Sequence, residues 1–153
     1  MPWTYDDGGF SGSGLTKHRR KHGNGVVAAI AIAEQRRYQD VYYELRTLQF
    51  DILWRARSKK KQEHSGDPHH GVFPEVSKKY LLDRGWLWTP TMTVGSGVTM
   101  HLSYEEIPDK TLFIARISKN LVTVINGVAH CTHDPSRDGA RALYGFFEPG
   151  DSM

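Results

Sequence analysis

Cysteine is nearly absent from this sequence: Cys131 stands alone among 153 residues, which excludes an intramolecular disulfide and an all-cysteine zinc site. Apolar runs of membrane-spanning length are missing, and so is a signal-peptide pattern with a basic start and a small-residue cleavage site. A soluble, cytoplasmic protein without membrane contact is therefore expected. An acidic excess is lacking too. Lys and Arg number 20 against 17 Asp and Glu, giving a formal charge of +3 and a pI near 9.0. That balance favours acidic partners and counts against an acidic mimic of DNA. With 39% hydrophobic and 11% aromatic residues, enough apolar side chain is present for one compact domain with a core.

What is present centres on a Gly-rich turn that runs into an apolar helix, His22-Gly23-Asn24-Gly25-Val26-Val27-Ala28-Ala29-Ile30. Asn24 is an N-cap, and Val26, Val27, Ala29, Ile30 and Ala33 recur at helical spacing, so this helix belongs in the core. Its first turn offers backbone N–H groups to a thiolate, an oxyanion or an anion. A second helix is predicted over 38–54, with Val41, Tyr42, Leu45, Leu48, Ile52 and Leu53 on its apolar face. A third runs from Pro74 or Glu75 to Asp83, ahead of Gly85. Strands follow at 86–92, 112–117, 121–125 and 128–132, with a last one over 141–147 and a two-residue hairpin at Asn126-Gly127. Helices first and antiparallel strands afterwards make an α+β domain over 25–150. The Gly-rich, charged residues 1–24 are expected to form an arm laid over it.

Two basic clusters stand out. Lys17, Arg19 and Arg20 precede the first helix, and Arg55, Arg57, Lys59, Lys60 and Lys61 follow the second; both are candidate contacts to a partner or to nucleic acid. The second cluster leads into a polar stretch to residue 70 and is expected as a mobile surface loop. No base-stacking aromatic lies within the run itself. His64, His69 and His70 sit close together in that stretch, with no carboxylate or cysteine at metal-ligand spacing, so neither metal nor cofactor is expected.

Several runs carry a resemblance: Asp6-Asp7-Gly8-Gly9, Lys17-His18-Arg19-Arg20-Lys21, the first helix, Tyr38-Gln39-Asp40-Val41-Tyr42, and Gly85-Trp86-Leu87-Trp88-Thr89-Pro90-Thr91-Met92. Together they resemble small phage and prophage proteins with a papain-like cysteine-hydrolase fold, which implies N-terminal helices packed on a C-terminal antiparallel sheet. Those proteins read Asp-Cys-Val-Val at the helix start, where this chain reads Asn24-Gly25-Val26-Val27. They carry the general-base His in Ser-x-His-Leu-Val, where this chain has Ser118-Lys119-Asn120-Leu121-Val122. They carry the orienting acid in His-Asp-Thr, where it has His130-Cys131-Thr132. All three catalytic positions are thus replaced, by Gly25, Asn120 and Cys131, while their flanks are retained.

The hairpin register bears on this arrangement. With Asn126 and Gly127 as the loop, 122 faces 131 and 120 faces 133, so residues 120, 122, 131 and 133 share one sheet face. The resulting expectation is a pseudoenzyme that acts in a host bacterial cell by binding a host protein, ribonucleoprotein or nuclease complex, as an inhibitor of a defence system of the anti-CRISPR type. A cysteine hydrolase relocated to Cys131 and His133, a nucleic-acid-binding module and a homodimer remain open alternatives.

Overall fold

Residues whose apolar side chains recur every three to four positions form one layer of the protein, and those that alternate form the other. The computed structural model describes residues 1–15, 23–91, 100–103, 106–136 and 141–150. Its helices are α1 (Gly25–Glu34), α2 (Tyr38–Trp54), α3 (Lys59–Gln62) and α4 (Pro74–Asp83). The strands are β1 (Trp3–Tyr5), β2 (Trp86–Pro90), β3 (Met100–His101), β4 (Leu112–Ile117), β5 (Asn120–Ile125), β6 (Val128–Cys131), β7 (Ala142–Leu143) and β8 (Gly145–Pro149). Six of them form one sheet in the order β1-β6-β5-β4-β8-β2, while β3 and β7 pair with each other. Every neighbour in the larger sheet is antiparallel except the edge pair, where β1 runs parallel to β6. The architecture is α+β, as the order of periodicities implied.

Helix α1 is apolar nearly all round because it lies between the sheet and α2. Asn24 caps it: the side-chain oxygen accepts from Val26 N–H at 2.8 Å and from Val27 N–H at 3.3 Å. At the far end Gln35 takes a left-handed conformation, φ 53°, and Arg36 N–H bonds back to the Ala31 carbonyl at 2.9 Å. This closes the helix in a Schellman motif with glutamine where glycine is usual. The small residues of α1 allow close approach to the sheet, and buried Thr123 of β5 donates its hydroxyl to the Ala29 carbonyl at 2.5 Å.

The sheet has two buried faces. Ile114, Leu121, Trp86 and Phe147 pack under α1, α2 and α4. Phe113, Ala115, Ile117, Val122, Val124, Ala129 and Phe146 pack on the opposite face with Leu102 and Leu143. The hairpin forms as expected: Asn126 and Gly127 have φ of 51° and 79°, the pair of positive values of a tight hairpin loop, and Ile125 faces Val128. Trp86 and Trp88 serve packing. Trp86 is buried and donates to Glu34 at 3.2 Å, while Trp88 lies against Phe147 with ring centroids 4.6 Å apart.

Three expectations are corrected. Residues 1–15 are not an arm laid over the domain, because β1 is a strand of the main sheet and Phe10 is 1% exposed in the helix-side core. The basic stretch after α2 is not a plain loop: it contains α3, and the segment beyond it is tied down by buried Gln49. That side chain donates to the Gly66 and Gly71 carbonyls at 3.1 and 3.0 Å and accepts from Phe73 N–H at 3.0 Å. The terminal run over 141–147 is not one strand. It divides at Tyr144 between β7 and β8, since Ala142 and Leu143 turn aside to pair with β3.

Candidate functional site

The N-terminus of α1 opens onto a cleft of about 150 Å³ between the helix, the ends of β5 and β6, and the turn after β1. Gly25, Asn120 and Cys131, which the sequence puts far apart, all line it. Asp6, Asp7, Asn24, His130, Thr132 and His133 supply the remaining polar wall.

On the helix side, the first-turn donors are largely taken. Asn24 accepts from Val26 and Val27 through its side chain and from Ala28 N–H through its carbonyl at 3.0 Å. Asn24 is itself held, since its N–H donates to the Tyr38 hydroxyl at 2.9 Å, and that hydroxyl lies 2.8 Å from His69 Nε2. The row of free donors expected at this helix start is therefore reduced: the cap that starts the helix also occupies its N–H groups.

Gly25 meets the sheet at Asn120. A Cβ built on Gly25 would lie 2.7 Å from Asn120 Nδ2 and 2.8 Å from its Cγ, closer than real Cβ atoms approach such groups. The Asn120 amide thus occupies the space in which any side chain at position 25 would begin. Its oxygen also accepts from Leu121 N–H at 2.9 Å.

Cys131 stands at the other wall. The register pairs Thr123 with His130 and Val124 with Ala129, so successive positions of β6 alternate between the two faces. Thr123 and His130 look toward α1, while Cys131 packs beside the second core with Val122 and Val124. The thiol donates to the His133 backbone carbonyl at 2.8 Å. Burial pushes its pKa up to about 11, with the His133 backbone opposing and the charges of Asp134 and Asp6 adding to the rise. The His133 ring is turned elsewhere, with Nδ1 3.2 Å from the Thr132 hydroxyl. A thiolate paired with an imidazole needs the sulfur on the ring nitrogen, and here it is on the main chain.

One pair of the cleft escapes sequence reasoning. Asp6 Oδ2 lies 3.7 Å from His130 Nδ1, and Asp6 Oδ1 accepts from Gly8 N–H at 2.9 Å. Asp6 N–H bonds the Cys131 carbonyl at 2.9 Å, continuing the parallel pairing of β1 with β6. A three-residue strand carries no periodicity, so nothing local foretold this neighbour. Asp7, also at the cleft wall, holds the short turn at Phe10–Gly12. Partial burial alone would raise its carboxyl, but the N–H groups of Gly9 and Ser11 outweigh that and hold it below the usual carboxylate range.

The basic candidates that follow α2 lie away from this cleft. Arg55, Arg57, Lys59 and Lys60 are exposed, Arg55 lies 3.4 Å from Asp51, and Lys61 is half-buried in an ion pair with Glu75. Lys17, Arg19 and Arg20 lie outside the described residues. Each of the three histidines of the neighbouring segment makes a packing or hydrogen-bond contact. His69 packs on Tyr42 with centroids 4.5 Å apart, His64 on Phe73 at 5.1 Å, and His70 Nδ1 lies 2.5 Å from the Ser65 hydroxyl. Among the described residues no group of three or more His, Cys, Asp or Glu is arranged to hold a metal ion, and no helix is long and apolar enough to cross a membrane.

The fold and cleft define an α+β chain with a capped helix N-terminus aimed at the ends of two antiparallel strands. No protein-family model matches the chain, and no curated protein or solved structure matches it.

Proposed function

We propose that this protein is a papain-like pseudoenzyme of phage or mobile-element type, which acts by binding. In this reading it inhibits a bacterial defence system, in the manner of an anti-CRISPR protein, by occupying a host protein or ribonucleoprotein complex. The observation that carries the reading is the contact between Gly25 and Asn120. At a cysteine-hydrolase site the helix start must present a nucleophile to a base across a gap that admits substrate. Here the helix start has no side chain, and the amide that replaces the base fills the space a nucleophile would need.

The relocated alternative draws no support from the cleft. Cys131 is held as a thiol on a backbone carbonyl, with its pKa raised rather than lowered. The test is affinity capture of the intact protein from bacterial lysate at moderate salt, beside a Cys131→Ala variant, with mass spectrometry of what is retained. Recovery of one multi-subunit defence or nuclease complex by both proteins is expected. Recovery of nothing, or a capture that depends on Cys131, would overturn the reading.

A further inference from the structure

Helix α2 is amphipathic in an unusual way, because its outward face is aromatic. Tyr38, Val41, Tyr42, Leu45, Gln49 and Leu53 are turned inward and buried. On the outside, Tyr43, Thr47, Phe50 and Trp54 follow at spacings of four, three and four, which stacks them along one stripe. Tyr43 is 50% exposed, Phe50 60% and Trp54 81%. The Phe50 and Trp54 rings lie nearly parallel, 17° apart with centroids separated by 6.5 Å, and Tyr43, Arg46, Thr47 and Phe50 line a shallow groove of about 300 Å³. Rings of this size are seldom left so open on a surface unless something covers them.

The unpaired charge at the Trp54 end of the stripe is positive, since the flanking carboxylates Glu44 and Asp51 pair with Arg36 and Arg55. Arg46 lies within the stripe, and the chain passes directly from Trp54 into Arg55, Arg57, Lys59 and Lys60, all exposed. Helix α3 lies in contact with α2 and is tied to its end, where Gln62 donates to the Ala56 carbonyl at 3.2 Å. The nearest carboxylate of α2, Asp51, is engaged by Arg55, and Glu75 by Lys61. Arg57, Lys59 and Lys60 therefore face solvent as a cationic group at the end of a row of open rings.

From this juxtaposition we infer that the outer face of α2 and the segment from Arg55 to Lys60 bind single-stranded nucleic acid. Bases stack on Trp54 and along the stripe, and phosphates lie on Arg57, Lys59 and Lys60. Like charges held together repel one another and gain most from a polyanion. Open rings beside them supply sequence-tolerant stacking, which a duplex, whose base faces are already stacked, does not offer. This site is separate from the cleft at Gly25 and does not depend on the chain being a pseudoenzyme.

The test uses the full-length protein with fluorescein-labelled oligo(dT) and oligo(U) of 20 nucleotides and a mixed-sequence duplex of equal length, read by anisotropy across a salt series. Both single strands are expected to bind more tightly than the duplex, with affinity falling as salt rises. Trp54→Ala is expected to weaken single-strand binding about tenfold while leaving the salt dependence unchanged. The triple variant Arg57→Gln, Lys59→Gln, Lys60→Gln is expected to flatten the salt dependence by about two logarithmic units per tenfold change in salt. Thermal unfolding of each variant checks the fold, and since every substituted side chain is exposed, unchanged midpoints are expected. Absence of binding at low salt, equal preference for duplex, or a Trp54→Ala variant that binds like the parent would overturn the inference. Capture of a protein partner lost on Trp54→Ala, without oligonucleotide binding, would likewise overturn it and reassign the stripe.

Discussion

At the scale of single residues, Gly25 and Asn120 act as one unit. Alanine in a helix is ordinarily favoured over glycine by up to about 1 kcal/mol, but at position 25 a Cβ meets the Asn120 amide. Gly25→Ala is therefore expected to cost about 1 kcal/mol in urea denaturation, and to become stabilising in an Asn120→Ala background. Additive effects in that double-mutant cycle would mean that the two positions do not share space. Cys131 makes a second prediction. With its pKa pushed up to about 11 from an ordinary 9.0, its thiolate at pH 8 is about a hundredfold scarcer in the folded than in the unfolded chain. Labelling by a disulfide reagent is expected to be slow in buffer and fast in denaturant. The sign for stability follows: the folded state keeps the proton longer, so this group's contribution is complete below the ordinary thiol value and is lost as pH rises from there toward 11. Rapid labelling of the folded protein at pH 8 would contradict this environment. The identities of Gly25, Asn120 and Cys131 were legible in the sequence; the overlap between the first two was not, because it depends on where α1 docks.

At the scale of elements, local chemistry explains most boundaries. Asn24 starts α1, Pro74 starts α4 at its first turn, and Asn126 with Gly127 makes the hairpin, each through a preference held within a few residues. The connection from α2 to α4 was misread because its order comes from one side chain of a distant helix. Gln49 is fully buried and serves three backbone groups of that connection. Gln49→Ala is expected to cost about 3 kcal/mol, since it leaves two carbonyls and an N–H without their partner in a closed site. Urea denaturation measures the loss, and hydrogen exchange is expected to place the new opening at Gly66 to Phe73. The buried Gln within the apolar stripe of α2 was the available signal, a polar residue among Leu45, Leu48, Ile52 and Leu53 that must find partners somewhere.

For the whole molecule, the order of the sheet carries the most consequence. β1, residues 3–5, pairs parallel to β6, more than 120 positions further along the chain, and so closes one edge of the sheet and one wall of the cleft. Removal of residues 1–9 is expected to expose the edge of β6, remove Asp6 and Asp7, and lower the thermal midpoint by several degrees, with aggregation on heating. An unchanged midpoint would restore the view of this segment as a detachable arm. Sequence alone determined the α+β class, the helices α1, α2 and α4, and the hairpin register, because each of these is written in a short window of periodicity, caps and turns. Only the tertiary structure decided that β1 joins the sheet, that Gly25, Asn120 and Cys131 line one cleft while the Cys131 thiol turns to the His133 carbonyl just beyond its strand, and that Phe50 and Trp54 remain uncovered beside the basic segment. Those outcomes depend on which distant surfaces meet when the two cores close, and no local pattern holds that information.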